Sequence, residues 1–171
     1  MKTTVASELI PAPRKRCFDP VVDAGTRLLI LGSLPGELSL ARGEYYGNRQ
    51  NRFWMLMSGV LDCDLLALDY PARLAALLAH GVGLWDVVAE ARRVGSLDSA
   101  IRERADNDLA ALVASLPKLT TIGFNGGMAG RLGLKALADH ARRYRVVQLP
   151  SSSPAYTLSY AEKARLWRAL I

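Results

Sequence analysis

Cysteine and histidine are nearly missing from this 171-residue chain, which holds only Cys17, Cys63, His80 and His140. Two cysteines cannot build a disulfide framework, and they fall a pair short of a four-cysteine zinc or iron–sulfur site. The histidines stand apart, with no HExxH pattern. Long apolar runs are missing too. Arg, Asp, Pro or Gly interrupts every stretch well before the ~20 residues of a membrane span. Met1 to Ile10 lacks the basic-then-apolar order of a signal peptide. These absences predict a cytoplasmic protein with no metal, no cofactor and no membrane contact.

What is present is a core and a lopsided charge. Half of the residues are hydrophobic, enough to bury a real interior, so disorder is disfavoured. The length fits one domain spanning 1–171, with residues 1–25 as an aperiodic, Pro-containing arm. The basic run Arg14-Lys15-Arg16 in that arm reads first as solvated surface and second as a phosphate contact. Residues 1–130 hold 14 basic and 14 acidic side chains, whereas residues 131–171 hold 8 and 2, so the net +6 lies wholly in the last stretch. An anionic partner is expected there.

Four short apolar runs read as buried strands: Arg27 to Gly32, Gly83 to Val88, Leu119 to Phe124, and Arg145 to Leu149. Helical spacing marks Phe53 to Leu61, Tyr70 to Leu78 with Pro71 in its first turn, Asp106 to Leu116, Gly130 to Arg143, and Tyr160 to Ile171. Ser159 and Glu162 have capping-box spacing. Strands alternating with helices predict an α/β fold, a parallel sheet covered on both faces. Ligands of such sheets bind where strands end and loops begin.

Three strand-end loops carry unusual chemistry. Gly32-Ser33-Leu34-Pro35-Gly36 is neither a P-loop, a dinucleotide fingerprint nor a nucleophile elbow, and by itself is a tight turn. It runs on into Tyr45-Tyr46-Gly47-Asn48-Arg49-Gln50-Asn51-Arg52-Phe53-Trp54. Aromatics stack on bases, amides bond to base edges or water, and Arg reaches phosphates. Phe53 and Trp54 fit core positions; Tyr46 and Asn51 are less easily explained that way. Asn125-Gly126-Gly127 is either a turn into a helix or an amide offered to a base. Pro150-Ser151-Ser152-Ser153-Pro154-Ala155-Tyr156-Thr157 is either a plain loop or a phosphate-binding one.

Taken in order, these segments resemble the uracil-DNA glycosylase superfamily, and within it the hypoxanthine-DNA (deoxyinosine) glycosylase branch. Gly83-Leu84-Trp85-Asp86, Gly95-Ser96-Leu97-Asp98 and Gly123-Phe124-Asn125-Gly126 are quieter matches. The resemblance implies a three-layer α/β/α sandwich with a short central parallel sheet of about four strands. It also implies a monofunctional enzyme, acting as a monomer on DNA that contains deaminated bases. The enzyme would flip hypoxanthine or uracil out of the duplex and hydrolyse its N-glycosidic bond. Asn51 would be the catalytic amide and Tyr46 the stacking aromatic. Asn125 would read the base edge, with Ser33 and Leu34 beside the base. Arg49, Ser151, Ser152, Ser153 and Pro154 would hold the DNA backbone, with Ala155 and Tyr156 as the wedge. The chain departs from the family in its first loop, where no catalytic Asp or Asn aligns, and in having Leu149 rather than His before Pro150. A damage-sensing module that does not cut, and a nucleoside hydrolase on the same sheet, remain alternatives.

Overall fold

The computed structural model describes residues 10–171, so the reading of the N-terminus against a signal peptide lies outside the described residues. Four parallel strands form the central sheet: β2 (Leu28–Gly32), β3 (Val82–Asp86), β6 (Thr121–Asn125) and β7 (Arg145–Leu149), in the order β3-β2-β6-β7. A smaller antiparallel sheet, β1 (Arg14–Arg16), β4 (Val88–Arg92) and β5 (Arg102–Asp106), has the order β1-β4-β5.

Side-chain alternation along β2 divides the core between the two faces of the sheet. Leu29 and Leu31 pack with Ile122 and Phe124 against α4 (Leu109–Ala114) and α5 (Gly127–Leu137). Ile30 points the other way, with Leu84 and Leu149, toward α2 (Phe53–Leu61), α3 (Tyr70–Ala79) and α6 (Tyr160–Trp167). Leu29, Ile30 and Leu31 are fully buried, worth about 1.5–3 kcal/mol each. The helix–sheet–helix sandwich expected from the sequence is therefore present.

Local chemistry sets several boundaries. Asp69 caps α3 by accepting from the Ala72 N–H, with Pro71 in the first turn. Ser159 caps α6 through the Glu162 N–H at 3.3 Å. The Glu162 carboxylate pairs with Arg165. Gly133 lies so close to the Phe124 ring that a methyl group would collide with it, which seats α5 tightly on β6.

Four differences from the expected elements have physical causes. The run Gly83 to Val88 breaks after Asp86. The Val87 N–H bonds to Gly32 O at 2.8 Å and the Val88 N–H to Ser33 O at 3.0 Å, and Val88 starts an antiparallel strand in the second sheet. Asp106 belongs to β5, so α4 begins only at Leu109, capped by Asp108. Helix α5 starts at Gly127 and gives way at Ala138, where φ is positive, to a 3₁₀ turn ending at Arg143. A short helix, α1 (Glu37–Arg42), follows the first loop; its six residues show too little period to read.

The basic run Arg14 to Arg16 lies at the surface, with Arg14 and Arg16 exposed. It is the edge strand β1, with Arg14 and Arg16 paired to Glu90, and Lys15 bonded to Glu37 and to Gly95 O.

Candidate active site

The C-terminal ends of the four parallel strands bring the singled-out loops together. Asn125 ends β6, buried, and its side chain closes onto the serine loop. Asn125 Oδ1 accepts from the Ser152 N–H at 2.9 Å, and Nδ2 donates to Ser152 Oγ at 2.8 Å and to Tyr46 Oη at 3.3 Å. Both amide N–H bonds are thus spent inside the protein. Gly126 holds φ at 101°, a conformation that suits glycine, as the chain turns into α5 against Ser151.

Tyr46 joins three parts of the site. Its ring stacks on Phe53 with centroids 3.8 Å apart and planes 15° from parallel. Its backbone sits at φ 54°, a costly region for a bulky side chain. Two bonds over-determine the next residue: the Gly47 N–H reaches Ser39 Oγ at 3.0 Å, and Arg42 reaches Gly47 O at 2.7 Å. Burial raises the Tyr46 phenol far above its usual range, so it remains a neutral hydroxyl. Tyr45, its neighbour, is core: it is 3 % exposed and its hydroxyl donates to Asp19 O. Phe53 and Trp54 are buried, as expected.

Asn51 stands just ahead of α2. Its Oδ1 accepts from the Phe53 N–H at 3.0 Å, which fixes the carbonyl side of the amide; its NH₂ group has no bond among the described residues. The next residue ties this loop to the serine loop, since the Arg52 N–H donates to Ser152 O at 3.0 Å. Tyr46 and Asn51 line a cleft of about 460 Å³ together with Arg42, Arg49 and Arg52.

The first loop is engaged differently from expectation. The Ser33 hydroxyl donates to Asp98 at 2.6 Å. The Leu34 side chain is buried in the core, so its side chain is not a wall for a ligand. Beneath the loop, the buried Arg93 donates to Leu34 O and Pro35 O. Glycine is needed at position 32: a Cβ there would lie 2.7 Å from Asp86 Oδ1 and 3.2 Å from Tyr46 Oη.

Asp86 carries no role among the expected site residues, yet the structure sets it apart. It ends β3, is 3 % exposed, and its Oδ2 is buried without a hydrogen-bond partner. Burial pushes its carboxyl up to about 7, reinforced by the charge of Asp98 and opposed by Arg93. Its signal in the sequence was the quieter family match Gly83-Leu84-Trp85-Asp86 at a strand end.

In the fourth loop Ser152 is buried, while Pro154, Ala155, Tyr156 and Thr157 are exposed. Ser153 is braced from behind by Lys163. That buried lysine donates to Ser153 O at 2.9 Å and lies 5.6 Å from the Tyr156 ring centroid. Burial, with help from the charge of Arg52, lowers the Lys163 pKa. Other members of the C-terminal basic group lie elsewhere. Arg145 starts β7, paired in register with Thr121, at the edge of the sheet opposite Asn125 and Leu149. Arg142 and Arg143 precede it in the same turn.

A three-layer α/β/α sandwich, with aromatic, amide, hydroxyl and carboxyl groups gathered at its strand ends, defines the class of protein. Residues 20–171 match the family model of the uracil DNA glycosylase superfamily. The chain is 36% identical over 156 residues to a hypoxanthine DNA glycosylase of Methanosarcina barkeri, covering 90% of this chain and 96% of that one. It is 37% identical over 158 residues to the hypoxanthine DNA glycosylase of Methanosarcina acetivorans, covering 91% and 97%. A Methanosarcina acetivorans protein solved by NMR and described as a candidate uracil DNA glycosylase superposes with a TM-score of 0.78 at 37% identity, covering 92% of this chain and 99% of that one. The chain belongs to the uracil DNA glycosylase superfamily.

Proposed function

We propose that the protein is a monofunctional DNA glycosylase that everts a deaminated base, hypoxanthine foremost, and hydrolyses its N-glycosidic bond. The observation that carries this reading is the near full-length similarity to two hypoxanthine DNA glycosylases. In the reaction the water oxygen bonds to C1′ as the C1′–N bond breaks, and the bonding electrons leave with the base. One water proton stays on the new hydroxyl and the other ends on the base. The transition state has the character of an oxocarbenium ion.

Asn51 fits the catalytic position because its carbonyl is fixed by the Phe53 N–H while its NH₂ is free to orient water or the departing base. Tyr46, braced on Phe53, suits stacking against an everted base, a contact worth about 1–3 kcal/mol. Arg49, Ser151, Ser153 and Pro154 would face the DNA backbone, with exposed Tyr156 and Ala155 as the wedge. Asn125, whose amide is tied to Ser152, fits a role in shaping the serine loop. Two free thiols suit a reducing compartment, so the proposal keeps a cytoplasmic monomer.

Excision from oligonucleotides carrying hypoxanthine, uracil, xanthine or a thymine mismatch tests the reading. Abasic product from hypoxanthine supports it; no product from any of the four leaves a damage-binding module. Asn51→Ala should lower single-turnover excision about 10²–10³-fold, the scale of losing one preorganised polar group, with melting temperature nearly unchanged. Excision within threefold of wild type would remove Asn51 from catalysis.

A further inference from the structure

We propose that Arg93 is a positioning residue for base excision: it holds the first loop by two successive carbonyl oxygens and so sets which way the peptide planes of that loop face. This inference rests on the glycosylase reading above. It gives the loop, which carries no catalytic acid, a part played by its main chain and governed from the second sheet.

The first loop, Gly32 to Gly36, is held by its carbonyls. Where the chain passes from β3 to β4, the Val87 and Val88 N–H groups take Gly32 O and Ser33 O. The next two carbonyls go to Arg93, just past the end of β4: Leu34 O at 3.5 Å, and Pro35 O more closely. A trans peptide plane points its N–H opposite to its C=O. Drawing four successive carbonyls toward the start of the second sheet therefore turns the Ser33, Leu34 and Gly36 N–H groups away from it. Among the described residues these three N–H groups donate to no protein atom. The loop sits at the strand ends, where a Cβ at Gly32 would lie 3.2 Å from Tyr46 Oη. The turn after Arg93 fastens the loop's flanks. The Ser33 hydroxyl donates to Asp98 at 2.6 Å, the Glu37 N–H to Ser96 Oγ at 2.9 Å, and Lys15 to Gly95 O at 2.6 Å.

The choice of side chain supports a geometric role. Arg93 is 1 % exposed, and its Nε is buried without a partner. Its bonds go to neutral carbonyls rather than to a carboxylate. Burial lowers its pKa, and the charges of Asp98, Glu37 and Asp86 oppose that shift. Burying a guanidinium is costly, and an apolar side chain of similar volume is often as stable or more so. Packing alone therefore does not account for an arginine here. What an apolar side chain cannot supply is a rigid fork of donors that reaches two carbonyls at once. Fixed N–H dipoles stabilise charge as it develops on a substrate because they need not reorganise during the reaction. A loop whose peptide planes can rotate gives up that advantage, while the fold around it stays intact.

The test measures single-turnover hypoxanthine excision by Arg93→Met and Arg93→Lys over a range of enzyme concentrations, with thermal melting followed alongside. Arg93→Met fills the space without donors. It should lower the rate at saturating enzyme about 10–10²-fold, the scale of a misplaced catalytic group. The enzyme concentration that gives half of that rate should stay within threefold of wild type, and the melting temperature within a few degrees. Arg93→Lys, with one ammonium for two carbonyls, should recover at least threefold over Arg93→Met and remain at least threefold below wild type. A saturating rate within threefold of wild type in Arg93→Met overturns the proposal. So does a loss confined to the half-saturating concentration, or one that matches the fraction of unfolded protein. If Arg93→Met does not fold, Arg93→Lys decides, and a wild-type saturating rate in it overturns the proposal. A wild type that cuts nothing overturns the glycosylase reading and this role with it. A wild type that cuts, beside an equally active Arg93→Met, overturns this role alone.

Discussion

At the ends of the parallel strands, two neighbouring corners treat their polar groups in opposite ways. Where β6 meets the serine loop, Asn125 and Ser152 are closed: three side-chain bonds of Asn125, and the Arg52 N–H on Ser152 O, leave little unpaired. Where β2 meets β3, Asp86 is buried with one bare oxygen and Arg93 with one bare nitrogen. Satisfied networks rigidify a loop, whereas incomplete ones are kept where something else completes them. The first corner is a closed scaffold for the serine loop, and the second holds two buried polar side chains with one atom each still unpaired.

The contrast can be broken by mutation. The largest stability effect is expected for Asn125→Ala, which strips partners from the Ser152 N–H and hydroxyl: about 2–4 kcal/mol lost in chemical denaturation, since buried groups left unpaired cost ~1–3 kcal/mol each. A cost under 0.5 kcal/mol would mean that the serine loop stands without it. Gly32→Ala attacks the other corner, because its methyl would lie 2.7 Å from Asp86 Oδ1. Overpacking of about 1–3 kcal/mol is expected, read as a lower midpoint in chemical denaturation.

Asp86→Asn should do the reverse and stabilise. The folded pKa near 7 lies above the ordinary 3.8, so between those values the folded protein holds a proton the unfolded chain has released. Stability from this group therefore falls as pH rises across that window and stays low above it. The variant should melt higher than wild type at pH 8, by roughly 1–3 kcal/mol of stability, with the advantage shrinking toward pH 4. Equal melting profiles across pH would show that Asp86 ionises normally.

The smallest effect separates the two edges of the sheet. Arg49→Ala should weaken DNA binding modestly and reduce the magnitude of the salt slope by about one. Arg142→Ala with Arg143→Ala, on the turn leading to the opposite edge, should leave the slope alone. A lowered slope in the double variant would put DNA on that edge as well.

Much of the fold could be read from the chain because burial leaves a pattern. Arg27 to Gly32 and Arg145–Leu149 are apolar runs and supply two strands of the parallel sheet; Phe53–Leu61 has helical spacing and became α2 with those limits. The second sheet left no such pattern. Strand β5, Arg-Glu-Arg-Ala-Asp, is exposed at all five positions, and backbone pairing to β4 holds it. The site divides in the same way. Tyr46, Asn51 and the serines stood out by composition and fell close together. Ser33 and Leu34 did not keep the expected side-chain roles, because a neighbouring carboxylate and the core claimed them.

By itself the sequence determined the layers and the strand-end loops, since hydrophobic period and loop composition are local properties, and the order of its motifs carried the resemblance to the family. Only the tertiary structure decided which polar groups are left wanting. Asp86 ends an ordinary strand in the chain, and the eight C-terminal basic residues look like one patch. Folding buries the first beneath Gly32 and Tyr46 and sends Arg142, Arg143 and Arg145 to the far side of the sheet. Desolvation and charge placement come from neighbours distant in sequence, and no local pattern records them.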